Sequence, residues 1–153
     1  MMETRAVAAT AIPRYKPPMT VHENQLRLID DLLFIPDVQE RLSILVSRAK
    51  STLPESDKTD AHLVRGCVSR VWLVPEVREG RCYFRYDADS PMVKGLVGVL
   101  CEVYEGGLAS EVASEEPVIW ERLGFTKQVT PTRLNGLAAV RAVIRQAAQH
   151  AQG

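Results

Sequence analysis

Neither sign of charge prevails in this chain of 153 residues: 19 lysines and arginines face 19 aspartates and glutamates. A balanced protein has no general attraction for nucleic acid or for an anionic membrane, so any partner must be recognised by a local patch. Cysteine is scarce as well. Three cysteines, standing 15 and 19 residues apart, give no paired framework of a secreted disulfide scaffold. Nor do they show the two-residue spacing that suggests zinc or a thioredoxin-like pair. They fit a reducing, cytoplasmic compartment, where thiols stay free. The three histidines, His22, His62 and His150, form no ligand pair at helical spacing. No apolar run approaches the roughly 20 residues that cross a bilayer. Internal repeats and low-complexity blocks are missing too.

The first 20 residues lack the apolar core of a signal peptide. With Pro13, Pro17 and Pro18 among them, residues 1–19 are expected to form a disordered tail, a transit peptide being the other reading. Residues 20–150 then make one domain. A chain of this size buries roughly 70 % of its unfolded surface, so it needs no disulfide or metal staple.

Thr20 and Glu23 read as a capping box ahead of a helical stripe of Leu26, Ile29, Leu32 and Leu33. Pro36 interrupts that stripe, and Asp37 is placed to cap a second helix with Leu42, Leu45, Val46 and Ala49 on its buried face. Residues 51–60 are polar and read as a loop. From Val68 the alternation and the β-branched residues predict a strand. Glu79-Gly80 predicts a turn, and Arg81 to Tyr86 the returning strand of a hairpin. Ser90 or Asp89 caps a helix opened by Pro91. That helix, Met92 to Tyr104, is apolar almost all round and belongs in the interior, with Gly106-Gly107 to end it. Short acidic helices follow from Ser110 to Leu123. Thr130-Pro131 opens a last helix through Leu134, Leu137, Ala138, Arg141, Ile144 and Ala148. The order predicts an α+β fold, with helices packed on one face of a small, about three-stranded antiparallel sheet.

The chemistry concentrates near Cys67, in the stretch HLVRGCVSRVW. A thiol reacts as its thiolate, which favours partial exposure and positive potential nearby. Arg65 and Arg70 flank Cys67, and Gly66 beside it lets another backbone or thiol approach closely. A cysteine that simply packs where a loop meets a strand explains the same residues equally well. Cys101, inside the most apolar helix, reads as a small hydrophobe. Cys82 lies in the hairpin, so a redox pair with Cys67 is conceivable, although sequence cannot place two sulfurs in bonding range. Lys94 either snorkels to the surface or pairs with Asp87 or Asp89. Arg133 sits in the first turn of the last helix, where the helix dipole disfavours a cation; that hints at a specific partner, while a solvated surface arginine is the plainer reading of the same residue. Trp72 reads as core.

Three stretches then stand in register: Gly66-Cys67-x-Ser69-x-Val71-Trp72, Asp87-x-Asp89-x-x-x-Val93-Lys94-Gly95-Leu96, and Thr130-Pro131-x-Arg133-x-x-Gly136-Leu137. Together, over about 70 residues, they resemble the SufE family of cysteine desulfuration proteins. The resemblance covers roughly residues 20 to 150. It implies a fold like that of the cluster scaffold IscU and a mobile loop carrying an essential cysteine, by position Cys67. It further implies that this thiol accepts sulfur from the persulfide of a PLP-dependent cysteine desulfurase such as SufS. The sulfur then passes to a scaffold such as SufBCD for iron–sulfur cluster assembly, and the PLP belongs to the partner. On this reading Arg65 or Arg70 raises the thiolate fraction, and Asp89 and Arg133 hold or release the loop. Val68 and Arg70 stand where the usual pattern has glutamines, and Ala88-Asp89-Ser90 replaces a serine-aspartate-alanine run. The competing readings are a regulatory binding module that carries no sulfur, and a thiol-disulfide protein using Cys67 and Cys82.

Overall fold

In a computed structural model, residues 19–50 and 53–152 are described. The expected N-terminal tail lies, but for Met19, outside them. Thr20 opens the first helix as its sequence predicts. Its hydroxyl accepts from the Glu23 N–H at 3.0 Å and its own N–H donates to the Glu23 carboxylate at 3.0 Å, closing a capping box on α1 (Val21–Leu33). Asp37 caps α2 (Val38–Arg48) by accepting from the Glu40 N–H. The polar segment beyond runs through two 3₁₀ turns, Glu55–Asp57 and Asp60–His62.

The hairpin joins β1 (Val71–Arg78) to β2 (Arg81–Ala88), with Val71 opposite Ala88 and Arg78 opposite Arg81. Glu79 and Gly80 between them have φ of 52° and 78°, the positive pair that a two-residue turn matched to strand twist requires. Ser90 then caps α3 (Pro91–Tyr104) through Val93 N–H. Two short helices, α4 (Ala109–Ser114) and α5 (Ile119–Arg122), lead to the long α6 (Pro131–Gln152).

The sheet is narrower than the sequence predicts. It has two strands among the described residues, not about three. Chain is present at both edges, but each neighbour contributes a single bridge, Leu63 with Trp72 and Leu108 with Arg81. The first strand also starts at Val71 rather than Val68, because residues 66–70 turn away before pairing begins.

Strand alternation divides the hairpin into two faces. Val71 and Leu73, with their partners Ala88 and Tyr86, join the helical core. At the centre of that core lies α3, whose Leu96, Val97 and Leu100 are fully buried, packed against α1, α2, β2 and α6. Trp72 and its partner Asp87 face the other way. Trp72 is buried as predicted, but under Lys58 and Arg70, whose cationic groups lie 5.5 and 5.2 Å from its ring centroid.

Candidate functional site

Cys67 belongs to neither strand nor helix. It sits in a tight turn between the Leu63 bridge and β1, and the turn folds down onto α6. Two glycines make that approach. Gly66 has φ of +95°, a conformation that a side chain strains, and its Cα hydrogen faces Ala139 of α6. On the helix itself, Gly136 leaves the backbone bare, so that a Cβ there would lie 3.4 Å from Cys67 Sγ. The thiol uses the gap: Cys67 Sγ donates to the Gly136 carbonyl oxygen at 3.4 Å. Sulfur is a weak donor, and 3.4 Å is within the range its size allows.

Around the thiol lies a pocket of about 250 Å³ between the turn, α3 and α6. Val71, Val93, Leu96, Val97, Leu137 and Val140 give it apolar walls, and Ser69, Thr130 and Thr132 also line it. Among the described residues Arg133 is the one charged side chain in the lining. Half-buried there, Cys67 has its pKa pushed up by burial, so in this conformation it is a protonated thiol.

The other predicted residues distribute as follows. Arg70 bonds through Nε to Asp89 Oδ2 at 2.8 Å, stacks over Trp72, and accepts at its carbonyl from the Asp89 N–H at 3.1 Å. The Val64 N–H bonds to the Val71 carbonyl at 2.8 Å, so both feet of the turn are fastened. Arg65 is exposed on the turn. Arg70 is committed to Asp89 and Trp72 rather than to the sulfur. Arg133 comes from the first turn of α6, where its N–H bonds to Thr130 Oγ1, and its Nη1 donates to Met92 Sδ at 3.5 Å. Cys67, Gly66, Arg70, Asp89 and Arg133, spread over 68 positions, thus meet around one turn and one pocket.

Lys94 takes the paired alternative. Asp87, nearly buried, is held between Lys94 Nζ at 3.1 Å and Lys58 Nζ at 2.5 Å. Burial alone would raise its carboxyl, but the two lysine hydrogen bonds outweigh it and hold the pKa at about 2. Sequence reasoning misses Lys58, because a lysine in a polar loop carries no signal of such a role. Gly136 belongs to one of the three motifs, yet only the fold shows that its missing Cβ seats the thiol.

The remaining cysteines stand apart. Cys82 faces Val77 beside the hairpin turn and is buried. Ala88, at the other end of the strand, is six positions further on, about 20 Å at strand rise. Cys67 lies at that far end, against α6. All three cysteines are free, and the geometry does not favour a Cys67–Cys82 disulfide. Cys101 is buried inside α3 as predicted. Among the described residues no group of three or more His, Cys, Asp or Glu is gathered to hold a metal ion, and no helix is long and apolar enough to cross a membrane.

Comparison with known proteins adds to this geometry. Residues 26–148 match the family described as "SufE: Fe-S metabolism associated domain". An uncharacterised SufE-like protein of Rhizobium meliloti (strain 1021) is 28 % identical over 134 residues, spanning 83 % of this chain and 94 % of the relative. The sulfur acceptor protein CsdE of Escherichia coli (strain K12) is 33 % identical over 102 residues, spanning 65 % of this chain and 69 % of that one. A solution structure of a hypothetical protein from Thermus thermophilus superposes with a TM-score of 0.69 at 20 % identity, over 84 % of this chain and 96 % of that one, and shows a shared fold. With the family match running from α1 to near the end of α6, this chain belongs to the SufE family.

Proposed function

We propose that this protein is a sulfur acceptor, taking persulfide sulfur from a PLP-dependent cysteine desulfurase onto Cys67, stimulating that enzyme, and passing the sulfur on for iron–sulfur cluster assembly. The observation that carries the reading is the setting of Cys67: a single thiol at a glycine-bearing turn, seated in an apolar pocket and fastened at the feet of the turn. The named relative CsdE, itself a sulfur acceptor, supports it.

The transfer is a thiol exchange. Cys67 thiolate attacks the outer sulfur of the donor's persulfide, a new S–S bond forms on Cys67, the donor's S–S bond breaks, and the donor cysteine leaves as thiolate. No net oxidant or reductant is needed. The reaction requires a thiolate with in-line access, whereas the pocket holds a protonated, half-buried thiol. Docking on the donor therefore lifts the turn off α6, breaking the Cys67–Gly136 contact and exposing the sulfur to the donor's own site. Asp89, through Arg70, is the catch that holds the turn until then. Downstream, a scaffold of the SufBCD kind receives the sulfur.

The experiment is to mix the protein with a SufS-like desulfurase and cysteine and to follow both alanine release and mass. The expected result is a gain of about 32 Da on Cys67 and loss of stimulation in Cys67→Ser. Full stimulation by Cys67→Ser, with Cys82 and Cys101 intact, would overturn the reading in favour of a regulator that carries no sulfur.

A further inference from the structure

Arg133 brings a guanidinium into a pocket whose lining, among the described residues, holds no carboxylate. Among the described residues it forms no ion pair with a carboxylate, whereas Lys58, Lys94 and Arg27 each do. Arg41, Arg81 and Arg141 also lack one, but their guanidinium groups donate to backbone carbonyls, which that of Arg133 does not. The one side-chain partner seen for its guanidinium is the thioether of Met92, at 3.5 Å. A thioether sulfur is a weak acceptor, far poorer than the carboxylate or phosphate that a guanidinium fork suits. The same pocket contains Cys67, and among the described residues these two are the only titratable groups in its lining, which draws on the turn, β1, α3 and α6. Arg133 also lies three positions before Gly136, hence on the same face of α6 as the carbonyl that receives the thiol.

We infer that Arg133 is the counter-charge of the sulfur-loaded state: when Cys67 carries an added sulfur and returns to the pocket, the guanidinium leaves Met92 and donates to the terminal sulfur anion. The inference rests on Cys67 being the residue that carries sulfur. A thiol can donate to the Gly136 carbonyl, but a persulfide anion has no proton to give and is repelled by that oxygen. It needs a donor instead. The added sulfur extends the side chain by about 2 Å, and the pocket's volume exceeds what one sulfur atom needs. Burying an anion among valines and leucines is costly unless it is paired and hydrogen-bonded, and Arg133 is the group placed to do both. The pocket thereby holds the neutral thiol by a carbonyl and the charged persulfide by a cation. Arg133 on this reading is a positioning residue for the carried sulfur, distinct from the attack itself.

The test loads sulfur without any desulfurase, using inorganic polysulfide: Cys67 thiolate takes the terminal sulfur and a shorter polysulfide leaves. Mass spectrometry places the added sulfur, and near-ultraviolet absorbance of the persulfide anion is then titrated against pH in the wild type, Arg133→Gln and Arg133→Lys. The ionisation midpoint is expected to rise by about 1 pH unit in Arg133→Gln, to stay closer to the wild type in Arg133→Lys, and to move less for the unloaded thiol. Equal midpoints in wild type and Arg133→Gln, equal movement of loaded and unloaded forms, or failure of Cys67 to hold sulfur under excess polysulfide would each overturn the inference. Failure of a desulfurase to load Cys67, while polysulfide does and the midpoints separate, would instead count against the proposed function and leave the pairing standing.

Discussion

Replacing Arg70 by alanine asks whether the turn that carries Cys67 is held closed by its neighbours. Two contacts leave with the side chain, the ion pair to Asp89 and the stack over Trp72. The ion pair is well exposed, at 66 % for Arg70 and 47 % for Asp89, so solvent and side-chain entropy leave it about 0.2–1 kcal/mol. The stack over an indole at such a site contributes about 0.5–1 kcal/mol. Together they hold the turn by about 1–2 kcal/mol, which is a factor of about 5–30 in the open population. The backbone bond from Asp89 N–H to the Arg70 carbonyl survives the substitution. Asp89→Asn removes the ion pair alone and should open the turn by a smaller factor, about 2–5. The assay is the rate at which a bulky, uncharged maleimide modifies Cys67, mapped by mass spectrometry, with buried Cys82 and Cys101 as internal controls. Near 1 M salt, where screening acts over about 3 Å, Asp89→Asn and wild type should converge while Arg70→Ala stays faster. Equal labelling of Arg70→Ala and wild type at low salt would refute the idea that these contacts fasten the turn.

Other consequences can be measured in the same way. Gly66→Ala should lower stability by about 1–2 kcal/mol in urea unfolding, because the strain is in the positive φ and not in space: the nearest atom, the Ala139 Cβ, is 3.5 Å from the new methyl. Asp87, with an ordinary value of 3.8 and a folded value of about 2, contributes about 2 kcal/mol that is fully present above pH 4 and drains away as pH falls toward 2. Asp87→Asn should therefore unfold more easily at neutral pH and lose that part of the acid dependence. Val68, 81 % exposed beside the thiol, should be replaceable by glutamine with stability changed by no more than about 0.5 kcal/mol. In that variant a changed KM for the desulfurase, with unfolding midpoint constant, would mark Val68 as a partner contact; unchanged kinetics would remove it from the interface.

Local signals carried the helices and the hairpin. Thr20 and Glu23, Asp37, Ser90 with Pro91, and Glu79-Gly80 each do in the fold what their side chains do in short peptides, so proximity in sequence was enough. The sheet width was not legible, because single bridges at Leu63 and Leu108 depend on where distant helices leave the edges. Val68 to Arg70 have strand-like composition but obey the turn, since the Gly66 conformation and the contact with α6 decide their path. The gathering of Cys67, Asp89 and Arg133 at one site was legible through motif order alone. The state of the thiol was not: flanking arginines suggested a thiolate, and whether a guanidinium faces a sulfur or a neighbouring carboxylate is a matter of tertiary contact.

That last difference bears on how such a site can work. A persistently exposed, low-pKa cysteine would be open to every oxidant and electrophile it met. Here burial favours the neutral form, and Gly66 and Gly136 let the turn lie close enough to α6 for the burial to occur. The fastening is weak by the nature of its parts, since an exposed ion pair and a stack hold only about 1–2 kcal/mol. A partner that contacts the exposed Val68 and Arg70 could supply more than that in its first few contacts, and so trade the shelter of the pocket for exposure at its own site. Reactivity in the proposed transfer is then mainly a property of the complex, and a Cys67 that is sheltered in the free protein and reacts only when the turn opens is what the mechanism requires.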